Sequence, residues 1–266
     1  MKIQSIFHKI SIILKIIKIT KNSKKILKIL LKNKCPLFIE LKNGIKFKTN
    51  GNVLDMVAIV ENFGLENKYD YFLKKSEEKY TILDIGANIG TFSVYIGKKY
   101  PFSRLFCYEP DEKNFEKLAE NLQINSITNA NFHRKAVGKK NEFIKLFSDE
   151  LGKFGTVGSS TATKGPKEMK VECITLKNIF DENNIISCDL LKLDCEGAEY
   201  DILMNTKKEI FEKIKLISLE YHNIINHDGY ELKKFLEIVG FLVKLVPDNH
   251  NNKYGFIYAK RNDENA

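Results

Sequence analysis

Asp84, Gly86 and Gly90 close an apolar run, YTILDIGANIG (80–90), and Glu109 follows Gly86 by twenty-three positions at the end of a second run, RLFCYEP. Those types at those places can bind a nucleotide cofactor. A carboxylate at the tip of a second strand can accept two hydrogen bonds from a ribose diol. Glycines in the preceding turn let a ligand approach the backbone, where helix amides receive polar groups. A second polar group lies further on: Lys192, Asp194 and Glu196 alternate in DLLKLDCEGAE, and Glu220 and His222 stand two apart in LISLEYH. Residues two apart on a strand share a side, so each set can face one crevice. Burying such charges is costly unless they are paired or serve a ligand. Either Lys192 pairs with Glu196 while that acid caps the next helix, or Asp194 faces the reacting centre as an electrostatic group and His222 serves as a general base.

The glycine pattern discriminates among cofactors. A dinucleotide fingerprint requires GxGxxG, whereas this turn reads DxGxxxG with Ala87 and Asn88 inside it. A Walker loop, GxxxxGK[ST], is absent from the sequence. S-adenosyl-L-methionine (SAM) carries no phosphate, and its methionine ammonium suits an acid near the turn, which Asp84 can supply directly or through water. The expected cofactor-binding set is Asp84, Gly86, Asn88, Gly90, Glu109, Asp194 and Ala136, the last at the end of the third strand.

Elements follow from the spacing. TILDI reads as a buried parallel strand and TFSVYIGKKY as the helix returning from it; Pro110 and Asp111 open a helix over EKNFEKLAENLQIN. NANFHRKAVG gives a third strand, and NEFIKLFSD and KVECITL an added pair flanking loop 152–165. DLLKLDCEGAEYDIL and KLISLEYH with GYELKKFLEIVG give two more strand–helix units, and FLVKLVPDNHNNKYGFIYAK a closing hairpin. Before them, Asn43-Gly44 marks a hairpin within 37–49, and helical spacing covers about 52–75. The expected fold is α/β, a doubly wound, mostly parallel Rossmann-like sheet with a closing antiparallel hairpin. Residues 1–75 form an amino-terminal appendage of basic helix, hairpin and helix, and 76–266 the cofactor-binding domain. The Gly/Ser/Thr-rich loop 152–165 has the length of a lid, with Ser159 and Ser160 as ligand contacts.

Charge is concentrated at one end. Residues 1–34 hold ten lysines and no acid, so subtracting them from a net +9 leaves the remainder at about −1. The basic character therefore belongs to the appendage, and no nucleic-acid partner is expected at the pocket. Ile6, Ile10, Ile13 and Ile17 recur at helical spacing, yet no apolar run is long enough to span a bilayer, and no cleavage site of a secretory signal follows. Such a helix rests on an anionic membrane, packs on the body or a second copy of the chain, or is disordered. The five cysteines contain no CxxC and point to a reducing compartment. The expected location is cytoplasmic, with peripheral contact at the inner face of the membrane through residues 1–34.

DIGANIG, YEPDEKNFEKLAENL, LLKLDCEGAEYDIL and LISLEYH together resemble the FkbM-type family of SAM-dependent class I methyltransferases, with its KxDxEGxE signature at Lys192, Asp194, Glu196, Gly197 and Glu199. The resemblance covers about 37–260. It implies an O-methyltransferase acting on a hydroxyl of a sugar, glycan precursor or polyketide-like metabolite. The expected catalytic residues are Asp194, Glu196 and His222, with Glu220 beside Ser159 and Ser160 on the acceptor. No resident metal is expected, although Asp194, Glu196, Glu220 and His222 would suit magnesium or manganese in a metal-assisted rival. Another rival is an inactive binding module recruited to a membrane. Base methylation is disfavoured because the prolines at 36, 101, 110, 166 and 247 form no D/N-P-P-Y/F loop.

Overall fold

The computed structural model describes residues 2–64, 69, 73, 77–148, 154–156, 168–248 and 253–262, with side chains from Ile10 onward except in 148 and 154–156. Helices α1 (Lys2–Ile19) and α2 (Ser23–Leu30) lead into hairpin β1 (Phe38–Glu40) and β2 (Lys46–Lys48), then helix α3 (Val53–Phe63). The first half of the sheet follows as β3 (Thr81–Ile85), α4 (Thr91–Lys99), β4 (Arg104–Tyr108), α5 (Glu112–Ile124) and β5 (Ala130–His133). Next come β6 (Ala136–Val137), β7 (Glu142–Ser148), β8 (Phe154–Thr156), β9 (Glu168–Ile174) and α6 (Leu176–Glu182). The chain ends with β10 (Leu190–Leu193), α7 (Glu199–Met204), α8 (Lys208–Phe211), β11 (Leu216–His222), α9 (Gly229–Ile238), β12 (Phe241–Pro247) and β13 (Tyr254–Arg261).

The main sheet has seven strands in the order β12-β13-β11-β10-β3-β4-β5. β11 through β5 run parallel, and β13 joins β11 antiparallel as half of the closing hairpin. This is the doubly wound α/β architecture expected. Period-two alternation assigns the faces. Leu83, Ile85, Phe106, Tyr108, Leu191 and Leu193 enter a core with α6 to α9, while Ile82, Leu105, Cys107 and Leu190 enter one with α3 to α5 and the hairpin. Ile16, Ile26, Ile39, Phe47 and Ile59 of the appendage belong to that second core. Each such side chain contributes about 1.5–3 kcal/mol on full burial. The hairpin is also held through its backbone: Asn125 accepts from Lys46 N at 2.9 Å and donates to its carbonyl at 2.6 Å, and Asn121 does the same for Lys48 at 2.7 and 2.9 Å.

Three local expectations are corrected. The helix over 52–75 starts where Asn52 and Asp55 form a capping box, but α3 ends at Phe63, with Gly64 leaving the helix in an extended conformation. The third strand divides: β5 pairs with β4, whereas β6 pairs with β9 in a separate sheet ordered β6-β9-β7-β8. Exposed Arg134 and half-buried Lys135 lie between the two strands, where the chain changes sheets. Loop 152–165 contains β8, which pairs with β7; the rest of that loop, including Ser159 and Ser160, lies outside the described residues. Helix α6, begun by a Thr175 side chain that accepts from Asn178 N at 3.2 Å, is absent from the sequence reading.

Candidate active site

Strand order reverses at β3, which has β4 on one side and β10 on the other. Ligands of open α/β sheets bind outside the carboxyl ends of the strands at such a switch point. Asp84 and Lys192 are direct cross-strand neighbours there, both buried. The Lys192 ammonium lies 3.1 Å from Asp84 Oδ1 and donates to the Gly86 carbonyl at 2.7 Å, and Ser93 Oγ donates to Asp84 Oδ2 at 2.5 Å. Burial alone would lower the Lys192 pKa, but the charges of Asp84 and Asp194 outweigh it and hold the group above its ordinary value. Lys192 makes its pair with Asp84 rather than with Glu196.

This arrangement bears on two expectations. Asp84 is 0% exposed and the ammonium it receives is that of Lys192, so direct contact with a cofactor ammonium is closed off. The space that a Cβ would take at each glycine is filled by protein. A Cβ on Gly86 would lie 1.9 Å from the Asp194 carbonyl oxygen, and one on Gly90 would lie 2.7 Å from Leu118 Cδ1, with φ of +76° and +83°. Left-handed geometry favours glycine at both places, and at Gly86 the Asp194 backbone leaves no room for a Cβ.

Glu109 follows β4 and is 6% exposed. Its Oε2 accepts from Asn88 N at 2.7 Å and its Oε1 from Asp111 N at 2.9 Å. A carboxylate offers about four acceptor positions, so each oxygen retains one for a diol. Burial raises its pKa to about 7 against the opposing effect of those two amides. Asn88 holds the turn with φ of +51° while its Oδ1 accepts from Ile89 N at 2.8 Å. Ala136 is buried in β6, beside Cys173 of β9.

Beyond Lys192 the strand alternation fails, because β10 ends at Leu193 and Glu196 adopts φ of +52°. The turn nevertheless brings acids from two strands to one imidazole. His222 Nδ1 lies 3.3 Å from Glu199 Oε1, and its Nε2 lies 3.5 Å from Glu196 Oε2 and 3.7 Å from Glu220 Oε1. Burial would lower the His222 pKa, but Glu199, Glu196 and Asp194 outweigh it and raise it to about 10. The acids around the ring favour its protonated form, which weighs against the expected role of His222 as general base.

Two members were missed. Glu199 is fully buried and accepts from Cys195 N at 2.7 Å and Gly197 N at 2.9 Å, so it ties the turn after β10 to His222. Its place in the signature was the available signal. Tyr69 donates toward Asp194 Oδ2 at 3.2 Å and Glu220 Oε2 at 3.3 Å, while its ring lies 5.4 Å from the Lys192 ammonium. No local pattern marks Tyr69, one of two tyrosines ahead of a charged stretch. Ligand atoms of Asp194, Glu220 and His222 also lie within 4.8 Å of one another, a spacing that suits a cation.

Comparison with known proteins identifies the family. Residues 84–258 match the Methyltransferase FkbM domain. The chain is 27% identical to Methyltransferase 1 of Beauveria bassiana over 202 residues, covering 68% of this chain and 81% of the relative. It is 21% identical to hexuronic acid methyltransferase AglP of Haloferax volcanii over 229 residues, covering 86% and 90%. It is 26% identical to 2-O-methyltransferase NoeI of Sinorhizobium fredii over 162 residues, covering 56% and 65%. The domain match begins at Asp84 beside the switch point and runs past both acidic strand ends, and on that extent the chain belongs to the FkbM methyltransferase family.

Proposed function

We propose that the chain transfers the methyl group of SAM to a hydroxyl of a sugar or glycan precursor. The observation that carries this reading is Glu109: a buried carboxylate beside the switch point, fixed by two amides and retaining an acceptor position on each oxygen for a ribose diol. The sugar class is supported by relatives named for a hexuronic acid and for 2-O methylation.

SAM, when bound, supplies a methyl group already attached to its leaving group. The chain must hold the acceptor in line and receive one proton. Alignment supplies up to about 7–11 kcal/mol, and a positioned base about 10²–10⁴ in rate. Glu220 receives the acceptor proton, since it stands between Tyr69 and His222 and is partly exposed. Protonated His222 keeps Glu196, Glu199 and Glu220 together, and Asp194 adds negative charge at the tip of β10.

A by-product assay tests the proposal. S-adenosylhomocysteine should be released from SAM when nucleotide sugars, uronic acids or glycan extracts are added, and methyl should appear on oxygen. Release only with amine or carbon acceptors would contradict it. The three clustered ligand atoms favour a second reading, in which Asp194, Glu220 and His222 hold a divalent cation that acidifies the hydroxyl. Activity lost on EDTA dialysis and restored by magnesium or manganese would select it; activity unchanged by EDTA would exclude it.

A further inference from the structure

Helix α1 is apolar on two sides. Ile16 is buried in the core, with Ile12 and Ile19 packed beside it, which seats one side on the body. The other side carries Ile10, Ile13, Leu14 and Ile17, which are 41–60% exposed. Their i, i+3, i+4, i+7 spacing makes one continuous stripe. The same appendage leaves Leu31 exposed after α2, and Leu37 and Phe38 exposed at the start of the hairpin. Scattered exposed apolar residues are ordinary, whereas a stripe of this length marks an interaction surface.

The charge carried by the same two helices identifies the partner. Lys18, Lys24, Lys25, Lys28 and Lys32 are exposed and make no ion pair with any described residue. Glu40, the first acid in the chain, is already held by Lys21 at 2.6 Å. A second copy docked through this face would bring two lysine-rich surfaces together without acids to separate them, because a two-fold contact uses the same patch on both subunits. Nucleic acid would satisfy the lysines but leave the isoleucine stripe in water. An anionic bilayer satisfies both, since acyl chains take the stripe and headgroups take the ammonium groups. No helix of the described residues is long and apolar enough to cross a membrane, so α1 would lie in the interface plane.

We infer that α1 and α2 form a docking surface for an anionic phospholipid bilayer, with the apolar stripe of Ile10, Ile13, Leu14 and Ile17 in the lipid interface. This inference is independent of the methyl acceptor. Flotation of the full chain with vesicles tests it, comparing phosphatidylcholine alone with phosphatidylcholine containing phosphatidylserine. Binding should be at least about tenfold stronger on the anionic vesicles and should weaken with added salt. Leu14→Ser with Ile17→Ser should reduce it by about tenfold or more, as should Lys24→Glu with Lys25→Glu and Lys28→Glu, while thermal melting and release of S-adenosylhomocysteine stay at the parent values. Equal or absent binding to the two vesicle types would overturn the inference. So would a dimer, seen by sedimentation, that the Leu14 and Ile17 changes dissociate.

Discussion

The two ends of the crevice treat their charges differently. At β3 and β4, Asp84 and Glu109 are 0% and 6% exposed, and both are engaged by groups of the fold itself. At β10 and β11, the side chains of Asp194, Glu196, Glu220 and His222 retain between 15% and 33% exposure, and several carboxylates share one imidazole. The first end is built by backbone amides and a buried ion pair, and it presents a fixed acceptor. The second is an acidic cluster gathered around His222, whose ring lies within 3.3–3.7 Å of Glu196, Glu199 and Glu220. In the proposed function, binding and chemistry divide along the strand order.

The largest separation should come from the acidic cluster. Glu220→Gln is expected to lower turnover by about 10²–10⁴. His222→Ala should fall in a similar range, because the carboxylates lose the cation between them, while SAM affinity stays near the parent value for both. The pH profile distinguishes roles: with a carboxylate as base, turnover is level from about pH 8 to 9 and declines as His222 loses its proton near pH 10. A rate rising throughout that range would return the base role to the imidazole.

Next in size is the buried pair. Lys192→Met removes the charge that compensates Asp84, and leaving a buried carboxylate alone costs about 3–5 kcal/mol. Urea unfolding should register that loss; a change below about 1 kcal/mol would mean that Asp84 is not held by Lys192 in solution.

A smaller effect is expected from Glu109. Its raised pKa of about 7 makes the diol-accepting carboxylate scarcer as pH falls. SAM affinity should therefore be full above pH 7 and decline below it, by at most about tenfold per unit. Calorimetry giving the same affinity at pH 8 and pH 6 would remove Glu109 from the ribose contact. The same group affects stability in the opposite sense. Because the folded chain holds the extra proton, its contribution to stability grows as pH falls from about 7 toward the ordinary carboxylate range.

Much of this division was legible in local sequence. The TILDI run with its glycines, the acid after RLFCY and the Asn43-Gly44 hairpin each depend on neighbours a few positions apart, and each is found where the spacing puts it. The partners of those residues were not legible. Asp84 meets Lys192, 108 positions away, only because β3 and β10 pair in that register. Gly86 needs its missing Cβ because the Asp194 carbonyl arrives from the same distant turn. Alternation suggested that Lys192, Asp194 and Glu196 face together, but strand β10 ends at Leu193, and a left-handed Glu196 redirects the last of them toward His222.

Calorimetric titration of SAM into Glu109→Ala and His222→Ala, side by side, tests the division most directly. Loss of hydrogen bonds to a charged acceptor should weaken binding to Glu109→Ala by about tenfold or more, with His222→Ala close to the parent. The reverse pattern, parent-like binding to Glu109→Ala and lost binding to His222→Ala, would contradict it.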